Sequence, residues 1–123
     1  MIRGIGVDIC QISRMQKMSP ESRFVSRFFS EAEREYLGSK SAGWAQSLAG
    51  MYAAKEAFGK VLGSGIREFE LKEVEVLHGA EGQPYYRLSG KALQALKNKG
   101  MTEVLLSISH DGGIAIAFAA GQE

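Results

Sequence analysis

Apolar positions along this chain change their period several times, and each change marks a new element. In Gly4-Ile5-Gly6-Val7-Asp8-Ile9 they alternate, which predicts a strand with Ile5, Val7 and Ile9 on one face and Gly4, Gly6 and Asp8 on the other. Asp8 is the odd residue of that run, a carboxylate on a face otherwise cleared of side chains; such a group either faces a ligand or belongs to a turn. Ser19-Pro20-Glu21 reads as an N-cap, a first-turn proline and an acid favoured by the helix dipole. It opens a short helix through Phe24, Val25 and Phe28, with Arg23 and Arg27 on its outer face. Ser30-Glu31-Ala32-Glu33 has the form of a capping box, and Gly38 stops the helix that it starts.

From Ser41 to Leu62 the residues Trp44, Leu48, Met51, Phe58 and Leu62 recur at spacings of three, four and seven, the signature of an amphipathic helix on a core. Ala45, Ala49, Ala53 and Ala57 allow close packing, and Gly63-Ser64-Gly65 ends it. Alternation returns in Glu73–Leu77 and Pro84–Leu88 around a Gly79–Gly82 turn, which predicts a hairpin with one wet face. Ser89 caps a helix carrying Leu93 and Leu96, closed by Gly100. A second hairpin runs from Val104 to His110, turns at Asp111-Gly112-Gly113 and returns through Ile114 to Phe118. Short helices and strands in mixed order predict an α+β fold with a largely antiparallel sheet.

Composition narrows the function classes. A length of 123 residues with 45% hydrophobic content suits one core. With 15 basic against 14 acidic side chains, the global charge gives no reason to invoke nucleic acid or an anionic membrane. The distribution is uneven: residues 1–67 hold 10 basic and 6 acidic groups, and residues 68–123 hold 5 and 8. A local basic surface on the N-terminal half follows. The single cysteine, Cys10, cannot close an intrachain disulfide and sits among apolar neighbours, which suits a reducing cytoplasmic setting. The N-terminus lacks the pattern of a signal peptide, and the longest apolar run, Ile114 to Ala120, is far below membrane-spanning length.

Chemistry concentrates in the central helix, where Lys55, Glu56 and Lys60 interrupt the small and apolar run Ala53-Ala54-Lys55-Glu56-Ala57-Phe58-Gly59-Lys60. Glu56 and Lys60 have the spacing of an ordinary helical ion pair. Alternatively, Glu56 pairs with Asp8, and two carboxylates from different elements hold an octahedral Mg²⁺ on a phosphate-bearing substrate while Lys60 neutralises a phosphate oxygen. Spacing does not choose between these. Gly63-Ser64-Gly65 follows its lysine, the reverse of a Walker A order, so a helix C-cap is the simpler reading than a phosphate cradle. His110, at a strand end beside an Asp-Gly turn, either meets a ligand phosphate or bonds the turn backbone. His78 precedes a glycine turn and reads as surface.

Together, Gly4–Ile9, Ala53–Ile66 and the Ser107-Ile108-Ser109-His110-Asp111-Gly112-Gly113 run resemble the holo-acyl-carrier-protein synthase family, the small 4′-phosphopantetheinyl transferases. The resemblance spans nearly the whole chain and implies a single transferase domain over residues 1–123. It implies transfer of the 4′-phosphopantetheine arm of coenzyme A to a serine of apo-acyl carrier protein, releasing adenosine 3′,5′-bisphosphate and supporting fatty acid biosynthesis. It further implies Mg²⁺ held by Asp8 and Glu56, with Lys60 on a coenzyme A phosphate, Gly63 and Ser64 beside it, and His110 near the 3′-phosphate and adenine. Arg14, Arg23 and Arg27 fall at the positions where the family meets the acidic helix of its carrier, which gives the uneven charge a purpose. Their other reading is solvated helix surface. Homotrimers with active sites between subunits are also implied. One departure stands out: many members carry Gly-Arg-Phe where this chain has Gly50-Met51-Tyr52, so that a basic contact to the coenzyme A phosphates is either absent or supplied by Lys40 or Lys55. A different Mg²⁺-dependent phosphotransferase and a binding module without turnover are the rival readings; the latter has no need of the carboxylate pair and Lys60.

Overall fold

The computed structural model describes residues 1–123. The chain runs β1 (Ile2–Gln11), α1 (Ile12–Gln16), α2 (Arg23–Phe28), α3 (Glu31–Gly38), α4 (Trp44–Leu62), β2 (Val74–His78), β3 (Pro84–Leu88), α5 (Gly90–Asn98), β4 (Glu103–Asp111) and β5 (Ile114–Gln122). This is the α+β class, with every strand pairing antiparallel, but the strands form two sheets. One has the order β1-β5-β4 and the other is the β2-β3 hairpin. No helix is long and apolar enough to cross a membrane.

Local signals account for most of the elements. Ser30 and Glu33 form the expected reciprocal capping box. Gly63 closes α4 in the left-handed region at φ 84°, its N–H donating to Lys60 O. The β4-β5 turn is the pair Gly112-Gly113, with φ of 57° and 81°, the positive values that a two-residue hairpin of right-handed twist demands. Other boundaries differ. Helix α2 begins after Ser22, whose hydroxyl accepts from Val25 N, and the Ser19-Pro20-Glu21 segment lies outside it. Ser89 stands at the start of α5 without a side-chain cap; the carboxylate of Glu73 accepts from Lys91 N instead, a tertiary contact serving a local need. Helix α1, one turn long, was not foreseen.

Helix α4 is the axis of the molecule. One side lies on the three-stranded sheet and another meets β2. Against the sheet both partners are small: Ala49, Ala53 and Ala57 of α4 are fully buried, as are Ala115, Ala117 and Ala119 of β5. The alternation in β1 is confirmed with a twist of meaning. A Cβ at Gly4 would lie 2.4 Å from Val61 O, and one at Gly6 would lie 2.1 Å from Ala57 O. The cleared face is thus filled by the backbone of α4, which explains the glycines without a ligand. Ile5, Val7 and Ile9 face outward instead, Ile5 and Ile9 at 62% and 61% exposure.

Candidate active site

Close packing of β1 on α4 is what places Asp8. Gly4 meets Val61 and Gly6 meets Ala57 and Lys60. Two residues of strand advance roughly 6.8 Å and four of helix roughly 6 Å, so the next step brings Asp8 to the level of Ala53 and Glu56. The aspartate is the first residue on this face to carry a side chain. At 22% side-chain exposure it opens toward solvent, and its Oδ1 accepts from Lys60 Nζ at 3.2 Å. Lys60 also donates to Val7 O at 2.9 Å. The ordinary Glu56–Lys60 helical pair is not formed: Lys60 turns to β1, and half-buried Glu56 has no cation among the ion pairs.

One turn before Glu56, Tyr52 places its ring 5.4 Å from the Arg14 guanidinium and 5.5 Å from the ring of Phe24. Partial burial and the nearby Glu56 carboxylate push its phenol above the usual range, with Arg14 opposing. Arg14 is exposed and lies on the Tyr52 ring. Arg23 and Arg27 sit exposed on α2, where Arg27 lies over the Phe28 ring at 5.2 Å. Phe24, on the same helix as Arg23 and Arg27, meets the Tyr52 ring at 5.5 Å and the Phe28 ring at 5.3 Å.

His110 lies elsewhere on the same inner face. It pairs across the sheet with Ala115 and, beyond it, Cys10. Two strand spacings, about 10 Å, separate it from β1. Its Nε2 is 3.2 Å from Gln46 O on α4, and a Cβ at Gly50 would come within 3.1 Å of it. Here a cavity of about 150 Å³ opens between Met51, His110, Tyr36, Ser47 and His78. His78, read as surface from the sequence, is half-buried, its ring stacked on Tyr36 at 4.0 Å and 5°. Burial, helped by Lys40, holds its pKa below the usual value. Nothing local signals this; the stack exists because the β2-β3 hairpin returns to the end of α3.

Gly63 and Ser64 lie at the far end of α4, roughly 20 to 25 Å from His110 by helical rise. Gly63 acts as the C-cap, and the Ser64 hydroxyl bonds Glu68. Lys55 is not available for a phosphate. It is fully buried, and its ammonium is saturated by Glu33 Oε1 at 2.9 Å and by the carbonyls of Leu71 and Val74 at 2.8 Å each. Lys40 is exposed, over the Tyr36 ring at 4.7 Å.

Asp8 and Glu56 are the carboxylates that this arrangement offers a metal; no cluster of three or more acidic, histidine or cysteine ligands forms. A pair of carboxylates with open surroundings suits Mg²⁺, which keeps several waters and takes substrate phosphate oxygens as its remaining ligands. A positively charged lysine on Asp8 and an open edge suit an anionic substrate equally well.

The sequence of residues 4–119 matches the family model of the 4′-phosphopantetheinyl transferase superfamily. The chain belongs to that superfamily. Within it, the chain is 46% identical over 117 residues to a holo-[acyl-carrier-protein] synthase of Treponema denticola, covering 95% of each chain. It is 41% identical over 125 residues to one of Halothermothrix orenii, covering 100% of this chain and 99% of the other. The holo-[acyl-carrier-protein] synthase of Neisseria meningitidis superposes with a TM-score of 0.89 at 28% identity over the whole of both chains. That of Helicobacter pylori, solved in complex with coenzyme A, gives 0.78 at 31% identity over 96% and 99%. The transferase fold and the holo-acyl-carrier-protein synthase branch of the family are therefore shown for this chain.

Proposed function

We propose that this protein transfers the 4′-phosphopantetheine arm of coenzyme A to the serine of an apo-acyl carrier protein, as the enzyme class of its relatives does. The observation that carries this reading is the meeting of Asp8, Lys60 and the Glu56 level of α4 where a glycine-cleared strand lies on the helix, in a chain of this family. The serine oxygen forms a bond to the phosphorus carrying pantetheine, and the bond from that phosphorus to the bridging oxygen breaks. Adenosine 3′,5′-bisphosphate leaves with the electron pair, and the serine proton passes to solvent or a carboxylate. Such a displacement asks the protein mainly for positioning and charge neutralisation.

Asp8 and Glu56 would hold Mg²⁺, which supplies Lewis-acid neutralisation of the diphosphate. Lys60, about half exposed, takes a phosphate oxygen. His110 and its cavity receive the nucleotide end. Arg14, Arg23 and Arg27 face the acidic helix of the carrier, where clustered charge chiefly raises the association rate.

The same reading extends to assembly. The outer face of the β1-β5-β4 sheet exposes Ile5, Val7, Ile9, Leu105, Ile116 and Phe118 together, a contiguous apolar surface of the kind that marks an interface. A homotrimer would bury it, and Gly63 and Ser64, far from His110 within one chain, would then serve a site shared between subunits. The free, buried Cys10 suits a cytoplasmic setting.

Mass spectrometry of an apo carrier protein incubated with this enzyme, coenzyme A and Mg²⁺ tests the proposal. The expected result is a gain of the phosphopantetheine mass, lost with EDTA and in Asp8→Ala or Glu56→Ala. No gain across several apo carriers refutes it.

A further inference from the structure

The Nδ1 of His78 is buried and has no hydrogen-bond partner, alone among the buried side-chain nitrogens and oxygens of the molecule. Polar groups removed from water are ordinarily paired, so an unpaired one calls for a reason beyond packing. The stack on Tyr36, at 4.0 Å and 5°, does not supply it, because a phenylalanine would stack as well. What the ring also borders is the cavity of about 150 Å³ that it shares with His110, Tyr36, Ser47 and Met51. None of the residues around that cavity is acidic, and Met51, buried in its wall, brings no charge. Lys40 adds a positive charge from the Tyr36 ring, its Nζ 4.7 Å from the ring centre. Two imidazoles, two hydroxyls and a nearby ammonium, with no carboxylate among them, make a setting for an anion. A half-turn of the His78 imidazole about its Cβ–Cγ bond keeps the Tyr36 stack and exchanges the two ring edges, so either edge can carry a nitrogen.

We propose that His78 is a specificity-determining residue for the nucleotide: its imidazole contacts the phosphomonoester at the 3′ position and, with His110, sets the preference for a 3′-phosphorylated adenosine. The inference rests on the reading of this cavity as the seat of the nucleotide end. Of the parts of that end, the base and ribose are uncharged, and the 3′-phosphate is the group whose charge this setting favours. In the free protein burial and then Lys40 hold the His78 pKa below its usual value. A phosphate beside the ring favours its charged form, and the contact then has the strength of a charge-assisted hydrogen bond.

The test is calorimetric titration of the full-length protein with adenosine 3′,5′-bisphosphate and with adenosine 5′-monophosphate, in Mg²⁺, for the wild type, His78→Phe and His110→Ala. The wild type is expected to bind the bisphosphate more tightly. If it binds neither nucleotide, or if His110→Ala binds both as the wild type does, the reading of the cavity fails and the inference with it. With that reading standing, His78→Phe should weaken the bisphosphate about tenfold and leave the monophosphate within about twofold. Phenylalanine keeps the stack and removes the unpaired nitrogen, so the melting temperature should not fall. Equal losses for the two nucleotides, or no loss, overturn the inference. A second measurement needs no folded phenylalanine variant. The imidazole ¹⁵N resonances of wild-type His78, identified by their absence from His78→Asn, should move with the bisphosphate and hold still with the monophosphate. Resonances that respond alike to both nucleotides, or to neither, refute the assignment.

Discussion

Two lysines five residues apart on α4 each bond a carboxylate from another element, and they do opposite things. Lys55 and Glu33 are both fully buried at 2.9 Å; Lys60 and Asp8 stand 3.2 Å apart with side-chain exposures of 54% and 22%. The inner pair is closed. Lys55 spends all three protons on Glu33, Leu71 O and Val74 O, and Glu33 also accepts from Ser30 N and Val76 N. That network pins α3 and the start of β2 to α4. Burial pulls the Lys55 ammonium below its usual pKa, and Glu33 opposes the shift. The outer pair is open, with unused lone pairs and protons facing water. The lesson is that burial, rather than residue type, separates a clamp from a reactive group.

Breaking each pair tests that contrast. Lys55→Met leaves Glu33 charged and buried without a cation, and should cost about 3 to 5 kcal/mol in chemical denaturation. Replacing both partners by Lys55→Met with Glu33→Leu should return much of it, because paired apolar residues avoid the desolvation of both charges. A loss below about 1 kcal/mol in the single variant would put Lys55 in the same class as Lys60. Lys60→Met should change stability by less than about 1 kcal/mol, since the pair is largely exposed. Yet it should lower transfer to the carrier by about 100-fold or more, the scale of removing one group that neutralises transition-state charge. Initial rates beside a denaturation curve read both halves.

Smaller effects sharpen the picture at the rims. Arg27→Glu should raise the carrier KM and leave the coenzyme A KM unchanged, the difference shrinking as salt is added. Equal changes in both constants would detach Arg27 from carrier docking. Smallest is a pH effect at His78, whose folded pKa lies below its usual 6.5 because of burial and then Lys40. As pH falls below 6.5 the unfolded chain binds the proton first, so stability declines toward acid through this group. His78→Asn should flatten that part of a melting-temperature profile; an unchanged slope would exclude the histidine as its source.

Sequence periodicity and capping chemistry determined much of this protein by themselves. The capping box at Ser30, the small-residue stripe and glycine stop of α4, the glycine turn before Ile114 and the alternation in β1 are all local. Each acts through backbone geometry within a few residues, so each was legible. The motifs around Asp8, Glu56 and His110 were legible too, as a family resemblance. What only tertiary structure decided was burial and partnership. Lys55 and Lys60 look alike along the chain until α3 and β2 close over one of them. The glycines beside Asp8 read as room for either another backbone or a ligand, and it is the backbone of α4 that occupies it. His78 became half-buried only when its hairpin met Tyr36, and Tyr52 gained Arg14 and Phe24 as neighbours only when α1 and α2 packed against α4. The physical reason is common to all four: desolvation and contact depend on which elements meet across the fold, and that is not contained in the spacing of residues along any one of them.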